Sequence, residues 1–173
     1  MNRAGEEAAA RGQDGVCLCG DSAGAYLCVY LAAMRENPAM AEAAGVSPVV
    51  PRIRALGLIS GMFYTCRLDS IGMFLPDMLY GKGWRKRPFR PYTDPEYTAR
   101  AGNLPPSFLV TARGDFLRHY SRRFYRAISR DSAAHCLLDI QGDRPLSHAF
   151  SAMLPETPEA RDANGQICLL YTS

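Results

Sequence analysis

Gly20-Asp21-Ser22-Ala23-Gly24 follows the short apolar run Val16-Cys17-Leu18-Cys19 and opens a helical stretch from Ala25 to Met34. The order is strand, sharp turn, helix. A G-x-S-x-G in this setting holds its serine on a strained elbow, and glycine is expected at both ends because side chains there would collide with the neighbouring strand and helix. Ser22 is then the candidate nucleophile, with Gly20 and Gly24 shaping the elbow. The same five residues also suit an ordinary tight strand-to-helix turn in which Ser22 serves as a capping residue.

A chain of 173 residues, 47% of them apolar, has enough material for one domain with a sizeable core. Its net charge of +3 argues for neither nucleic acid nor an anionic membrane as a partner. No apolar run approaches the roughly 18 residues that span a bilayer. The start, Met1-Asn2-Arg3 followed by Glu6, Glu7 and three alanines, lacks the apolar stretch of a secretion signal. The expectation is a soluble, cytoplasmic protein. Cys17, Cys19, Cys28, Cys66, Cys136 and Cys168 form no C-x-x-C pair and have no histidines at zinc-finger spacing, so they read as reduced thiols with no metal site. Cys17 and Cys19 alternate within an apolar run and are expected on one side of a strand, acting as small hydrophobes.

Residues 4 to 11 read as a helix ended by Gly12 and Gly15. After the elbow, Ala23, Tyr26, Leu27, Tyr30, Leu31 and Met34 recur at helical spacing, which predicts one face packed on a sheet before Asn37-Pro38 closes the helix. Ile53 to Ser60, Ser107 to Ala112 and Cys136 to Ile140 read as three further strands, the first apolar enough to be covered on both faces. Between the last two lies a helix with Leu117, Tyr120, Phe124, Ala127 and Ile128 on one face. Arg118, Arg122, Arg123, Arg126 and Arg130 fall largely away from it. Strand-helix alternation argues for an α/β fold with a mostly parallel sheet and helices on both faces.

The stretch from about 62 to 103 breaks that alternation with four prolines, several glycines and eight aromatics. It reads as a cap-like insertion whose aromatics either line an acyl or aryl pocket or fasten the cap to the body. Lys82, Arg85, Lys86, Arg87 and Arg90, interleaved with Trp84 and Phe89, superficially resemble a nucleic-acid patch. With charge elsewhere balanced, they read as a solvated cap surface.

A serine nucleophile needs a base and a group to orient that base. Of the three histidines, His119 falls on a helix and His135 immediately precedes the fourth strand. His148 lies in the loop beyond that strand, after Gly142-Asp143-Arg144-Pro145. Loops after the C-terminal ends of parallel strands gather on one edge, which brings His148 to Ser22. By the same rule Asp115, directly after the third strand, is the acid, with Asp139 and Asp143 as competitors.

At these residues the chain resembles the α/β-hydrolase superfamily, and within it the esterase/lipase branch similar to hormone-sensitive lipase. The elbow resembles that branch's G-D-S-A-G. Leu104-Pro105-Pro106 with Gly114-Asp115-Phe116-Leu117 resembles its acid-bearing segment, and His148-Ala149-Phe150 its H-x-F. The resemblance implies a carboxylic-ester hydrolase of small-molecule esters that needs no cofactor. Ser22 would be nucleophile, His148 general base and acid, Asp115 its orienter, and the Ala23 N–H an oxyanion donor. Asp21 is not the acid on this reading. A peptidase of the same fold and a non-catalytic binding module stay open as alternatives.

The resemblance also implies that an H-G-G-G-type oxyanion loop and further strands lie upstream, so residues 1–167 are expected to be a truncated α/β-hydrolase domain. Such a fragment would be inactive and would self-associate through a bare strand edge, whatever the oligomeric state of its parent. Cys168-Leu169-Leu170-Tyr171-Thr172-Ser173 is what TGT CTC TTA TAC ACA TCT, a DNA end used in transposon-based sequencing libraries, encodes. Residues 168–173 are therefore expected to be a non-native tail.

Overall fold

A computed structural model describes residues 1–130, 134–142 and 144–172, the last three as backbone only. Helix α1 (Asn2–Ala10) leads into strand β1 (Val16–Asp21), and the elbow turns β1 into helix α2 (Ala23–Glu36), with the short α3 (Pro38–Ala44) behind it. Then come β2 (Ile53–Ile59), α4 (Ser70–Tyr80), two 3₁₀ turns at Trp84–Lys86 and Arg90–Thr93, and α5 (Pro95–Ala101). Strand β3 (Ser107–Ala112), α6 (Arg118–Ile128), β4 (His135–Ile140), α7 (Phe150–Met153) and α8 (Pro158–Thr172) complete the order.

The four strands lie parallel in the order β1-β2-β3-β4, in register at Leu18↔Leu56, Leu58↔Leu109 and Val110↔Leu138. Every residue of β3 and all but Arg54 of β2 are buried, as parallel strands with helices on both faces require. On one face Leu56, Leu58 and Leu109 pack against Ala25, Cys28, Val29 and Ala32 of α2 and against Tyr120 and Phe124 of α6. On the other, Ile59, Phe108, Val110 and Ala112 meet Phe150 and the Ala160, Ala163 and Ile167 stripe of α8. The predicted α/β class and all four predicted strands are present.

Two local readings are corrected. The stripe of α2 buried in the sheet core is Ala25, Cys28, Val29 and Ala32; of the expected face Leu31 and Met34 pack at the margin of that core, whereas Tyr26 and Tyr30 do not belong to it. The two tyrosines pack with Met40, Tyr80, Phe89 and Tyr92, and Leu27 is exposed. The helix is apolar nearly all round because it is covered from two sides, so spacing alone did not say which side is the sheet. Small side chains there let helix and strands approach closely. Second, Cys17 is only half-buried and Cys19 is exposed, because β1 is an edge strand whose outer parts receive less cover than β2 and β3.

The aromatics of 62–103 pack mainly among themselves and on α2 and α6. Phe63 stacks on Phe124 at 4.2 Å between centroids, Tyr64 meets Tyr120 edge-on, and Tyr80, Trp84, Phe89, Tyr92 and Tyr97 form a chain that reaches Tyr30. Tyr26 and Tyr80 share a hydroxyl hydrogen bond of 2.6 Å, as do Tyr80 and Thr65, and the Tyr30 hydroxyl donates to the Tyr92 carbonyl. These contacts fasten the segment to the body.

Candidate active site

Ser22 stands between the end of β1 and the first turn of α2 with φ 50° and ψ −114°, a left-handed conformation that costs a non-glycine residue energy. Its backbone is held on three sides: Ser22 N–H donates to the Ile59 carbonyl, and the Ser22 carbonyl accepts from Tyr26 and Met62 N–H. The side chain makes no helix-capping hydrogen bond, so the capping alternative for this turn is not realised. A Cβ on Gly20 would stand 2.5 Å from the Gly24 carbonyl carbon, which is why no larger residue fits there. The same expectation fails for Gly24, where an added Cβ meets no described atom within 4 Å. The crowding of this elbow is one-sided.

Asp115 lies just past β3 with its side chain fully buried. Thr111 Oγ1 donates to Oδ2 at 2.9 Å, Leu117 N–H donates to Oδ1 at 2.9 Å, and His148 Nδ1 lies 2.8 Å from Oδ1. Three partners therefore fix the carboxyl, and it in turn fixes the imidazole. The other side of that ring meets Phe116 at 4.5 Å between centroids. The loop that carries His148 packs tightly on the turn after β3, where a Cβ on Gly114 would stand 2.6 Å from the Leu146 carbonyl oxygen.

A sequence profile described as alpha/beta hydrolase fold matches residues 2–150. The chain belongs to the α/β-hydrolase fold family. Among solved structures, esterase B of Lactobacillus rhamnosis matches with a TM-score of 0.80 at 21% identity, over 92% of this chain and 53% of its own. An esterase of Pyrobaculum calidifontis matches with 0.64 at 22% identity, over 96% and 55%. Carboxyl esterase 2 of Tuber melanosporum gives 0.66 at 16%, over 96% and 57%. At such identities the likeness is one of fold, and the chain spans about half the length of these structures. No curated protein matches the sequence significantly.

Within this α/β-hydrolase chain Asp139 has partners of its own. Asp139 is taken up by Arg118, whose Nε and Nη2 donate at 2.8 and 3.0 Å, and by Arg122 at 3.5 Å. Asp143 lies outside the described residues, and Asp21 is exposed at the end of β1. His119 is exposed on α6. His135 opens β4 rather than preceding it, and burial holds its imidazole pKa below the usual histidine value. Among the described residues no group of three or more His, Cys, Asp and Glu is placed to hold a metal, and no helix is long and apolar enough to cross a membrane.

Sequence reasoning missed Ser60. It follows β2, is fully buried with φ 49°, and its Oγ accepts the Ala149 N–H at 3.0 Å, tying the residue after His148 to the sheet. A serine at a strand end belongs to no motif. The only hint was its place at the C-terminal edge where loops converge.

Proposed function

We propose that this chain carries the catalytic residues of a serine carboxylic-ester hydrolase. The observation that carries the reading is the buried Asp115 carboxyl paired at 2.8 Å with His148 Nδ1, at the same strand edge as the Ser22 elbow. An imidazole that donates from Nδ1 to a carboxylate leaves its lone pair on Nε2, which suits it to take a proton from a serine hydroxyl. Ser22 Oγ then attacks the ester carbonyl, the Ala23 N–H at the start of α2 stabilises the oxyanion, and His148 returns the proton to the departing alcohol. Water attacks the acyl-enzyme in the second half of the reaction, with His148 as base again. The stretch from about 62 to 103 is the cap of this site, and the substrate is a small-molecule ester. The esterases among the structures of like fold support the ester over the amide.

The test uses the native gene product that contains this chain. A fluorophosphonate probe is expected to label Ser22, with labelling lost in Ser22→Ala and p-nitrophenyl esters turned over faster than aminoacyl amides. Faster amide turnover makes it a peptidase. A native protein that takes no label is a binding module, and the proposal falls.

A further inference from the structure

A pocket lies on the far side of α2 from the sheet, between that helix and the 62–103 segment, with a volume of about 410 Å³. None of Ser22, Asp115 and His148 lines it. Its walls are Leu27 and Met34 of α2, Val46 beyond α3, and Leu79, Trp84 and Phe89 of the segment. Tyr26, Tyr30 and Tyr80 also border it, yet their hydroxyls are engaged with one another, with Thr65 and with the Tyr92 carbonyl, so they offer ring surface rather than polar groups. Leu27, Val46 and Leu79 leave 56%, 49% and 44% of their surface to solvent and form an apolar lip.

The charged groups at this pocket all have one sign. Arg87 and Arg90 are its only charged lining residues, and neither pairs with a carboxylate among the described residues. The Arg87 guanidinium is seated over Gly81, where an added Cβ would come within 3.2 Å of Nη2, and it donates to the Lys82 carbonyl at 3.3 Å. Gly81 at φ 77° thus gives the guanidinium its seat. Trp84 is only 6% exposed, and its buried indole N–H has no acceptor among the described residues. Lys82, Arg85 and Lys86 extend the same positive field, with Arg85 over the Trp84 ring at 4.6 Å. Apolar walls with two arginines in the lining, at a volume inside the ~300–1,000 Å³ range of small-molecule sites, define a narrow class of ligand.

We propose that this pocket binds a medium-chain alkyl carboxylate, its chain between α2 and the 62–103 segment and its head group on Arg87 and Arg90. The argument is independent of the role assigned to Ser22. It gives the basic cluster a purpose other than solvation.

Trp84 is the chain's single tryptophan, so its fluorescence reports from the pocket wall. Octanoate, decanoate and dodecanoate, titrated below micelle formation into the full chain, are expected to give saturable fluorescence changes. Affinity should rise about fourfold for each added methylene that is fully buried. Decanol and decyltrimethylammonium should bind at least tenfold more weakly than decanoate. The double variant Arg87→Gln, Arg90→Gln should lose that advantage for decanoate while decanol is unaffected, and Ser22→Ala should bind as the parent does. Val46→Glu, at an exposed lip position, should also weaken decanoate at least tenfold and guards against a disturbed Arg87 turn. Three outcomes overturn the proposal: no saturable change with any carboxylate, equal affinity for decanol and decanoate, or a response only to anionic phospholipid vesicles, which would make the surface a membrane contact.

Discussion

Asp115 and Asp139 are both aspartates near strand C-termini, and sequence position alone did not separate them. Their partners do: Asp115 is buried against Thr111, Leu117 and His148, whereas Asp139 is held by Arg118 and Arg122. On the proposed function, Asp115→Asn is expected to lower kcat of the native gene product by ~10³–10⁴ while the fold survives, because the amide no longer holds the imidazole in the productive tautomer. Asp139→Asn should leave kcat within a few-fold, and steady-state ester hydrolysis by the two variants checks the contrast. Ser60 acts one step further out. Ser60→Ala removes the acceptor of a buried N–H, which costs about 1–3 kcal/mol and frees the residue after His148. Both a lower Tm and a lower kcat with little change in KM are expected, and an unchanged kcat would reduce Ser60 to a structural role. The elbow turn and the pairing of Asp115 with His148 were legible because each of these residues belongs to a motif with its own spacing. Ser60 was not, since its meaning comes from a neighbour 89 positions away.

At the scale of elements, the strands and the helices between them were legible because β2 and β3 are short apolar runs bounded by turn residues. The facing of α2 was not, because Tyr26 and Tyr30 are buried against a segment that lacks a periodic pattern of its own. That segment is fixed to α6 by two carboxylates. Asp69 caps α4 by accepting the Gly72 N–H at 3.1 Å and also accepts the Tyr120 hydroxyl at 2.5 Å. Glu96 accepts the Tyr64 hydroxyl and Arg123 Nε, each at 2.8 Å. Burial alone pushes both carboxyls up, but the hydrogen bonds from Tyr120 and Gly72 to Asp69, and from Arg123 and Tyr64 to Glu96, outweigh it and hold both below their ordinary values. A carboxyl depressed in the fold adds stability that is complete above its unfolded pKa and is lost as pH falls through its folded one. Attachment of 62–103 should therefore weaken below the ordinary carboxylate range, about pH 4. Amide exchange in α4 and α5, followed from pH 7 down to pH 3 after correction for intrinsic rates, should quicken before that in β3. Asp69→Asn with Glu96→Gln should remove the difference, and simultaneous quickening of all elements would refute it.

At the scale of the molecule, the sheet has two edges of different character. The edge at β4 is charged, with the Arg118 and Arg122 pairs to Asp139 crossing from α6. The edge at β1 is not: Val16, Cys17 and Leu18 are half-buried, Cys19 is exposed, and among the described residues β1 pairs with β2 alone. A strand with one unpaired row of N–H and C=O groups beside apolar side chains templates pairing with another chain. Arg52 and Arg54, which share Asp14 at 3.1 Å, guard only the N-terminal end of this region. Residues 1–173 expressed by themselves are therefore expected to elute from a size-exclusion column as dimers or larger species. Association through β1 leaves the outer face of α2 and its pocket on the other side of the helix, so carboxylate binding and self-association should vary independently. Cys17→Lys places a charge on the half-buried edge strand without touching the α2 core stripe, and should shift the chain toward monomer with Trp84 fluorescence unchanged. A wild-type chain that elutes as a monodisperse monomer at tens of micromolar would show that β1 is covered in solution, and the edge argument would fail.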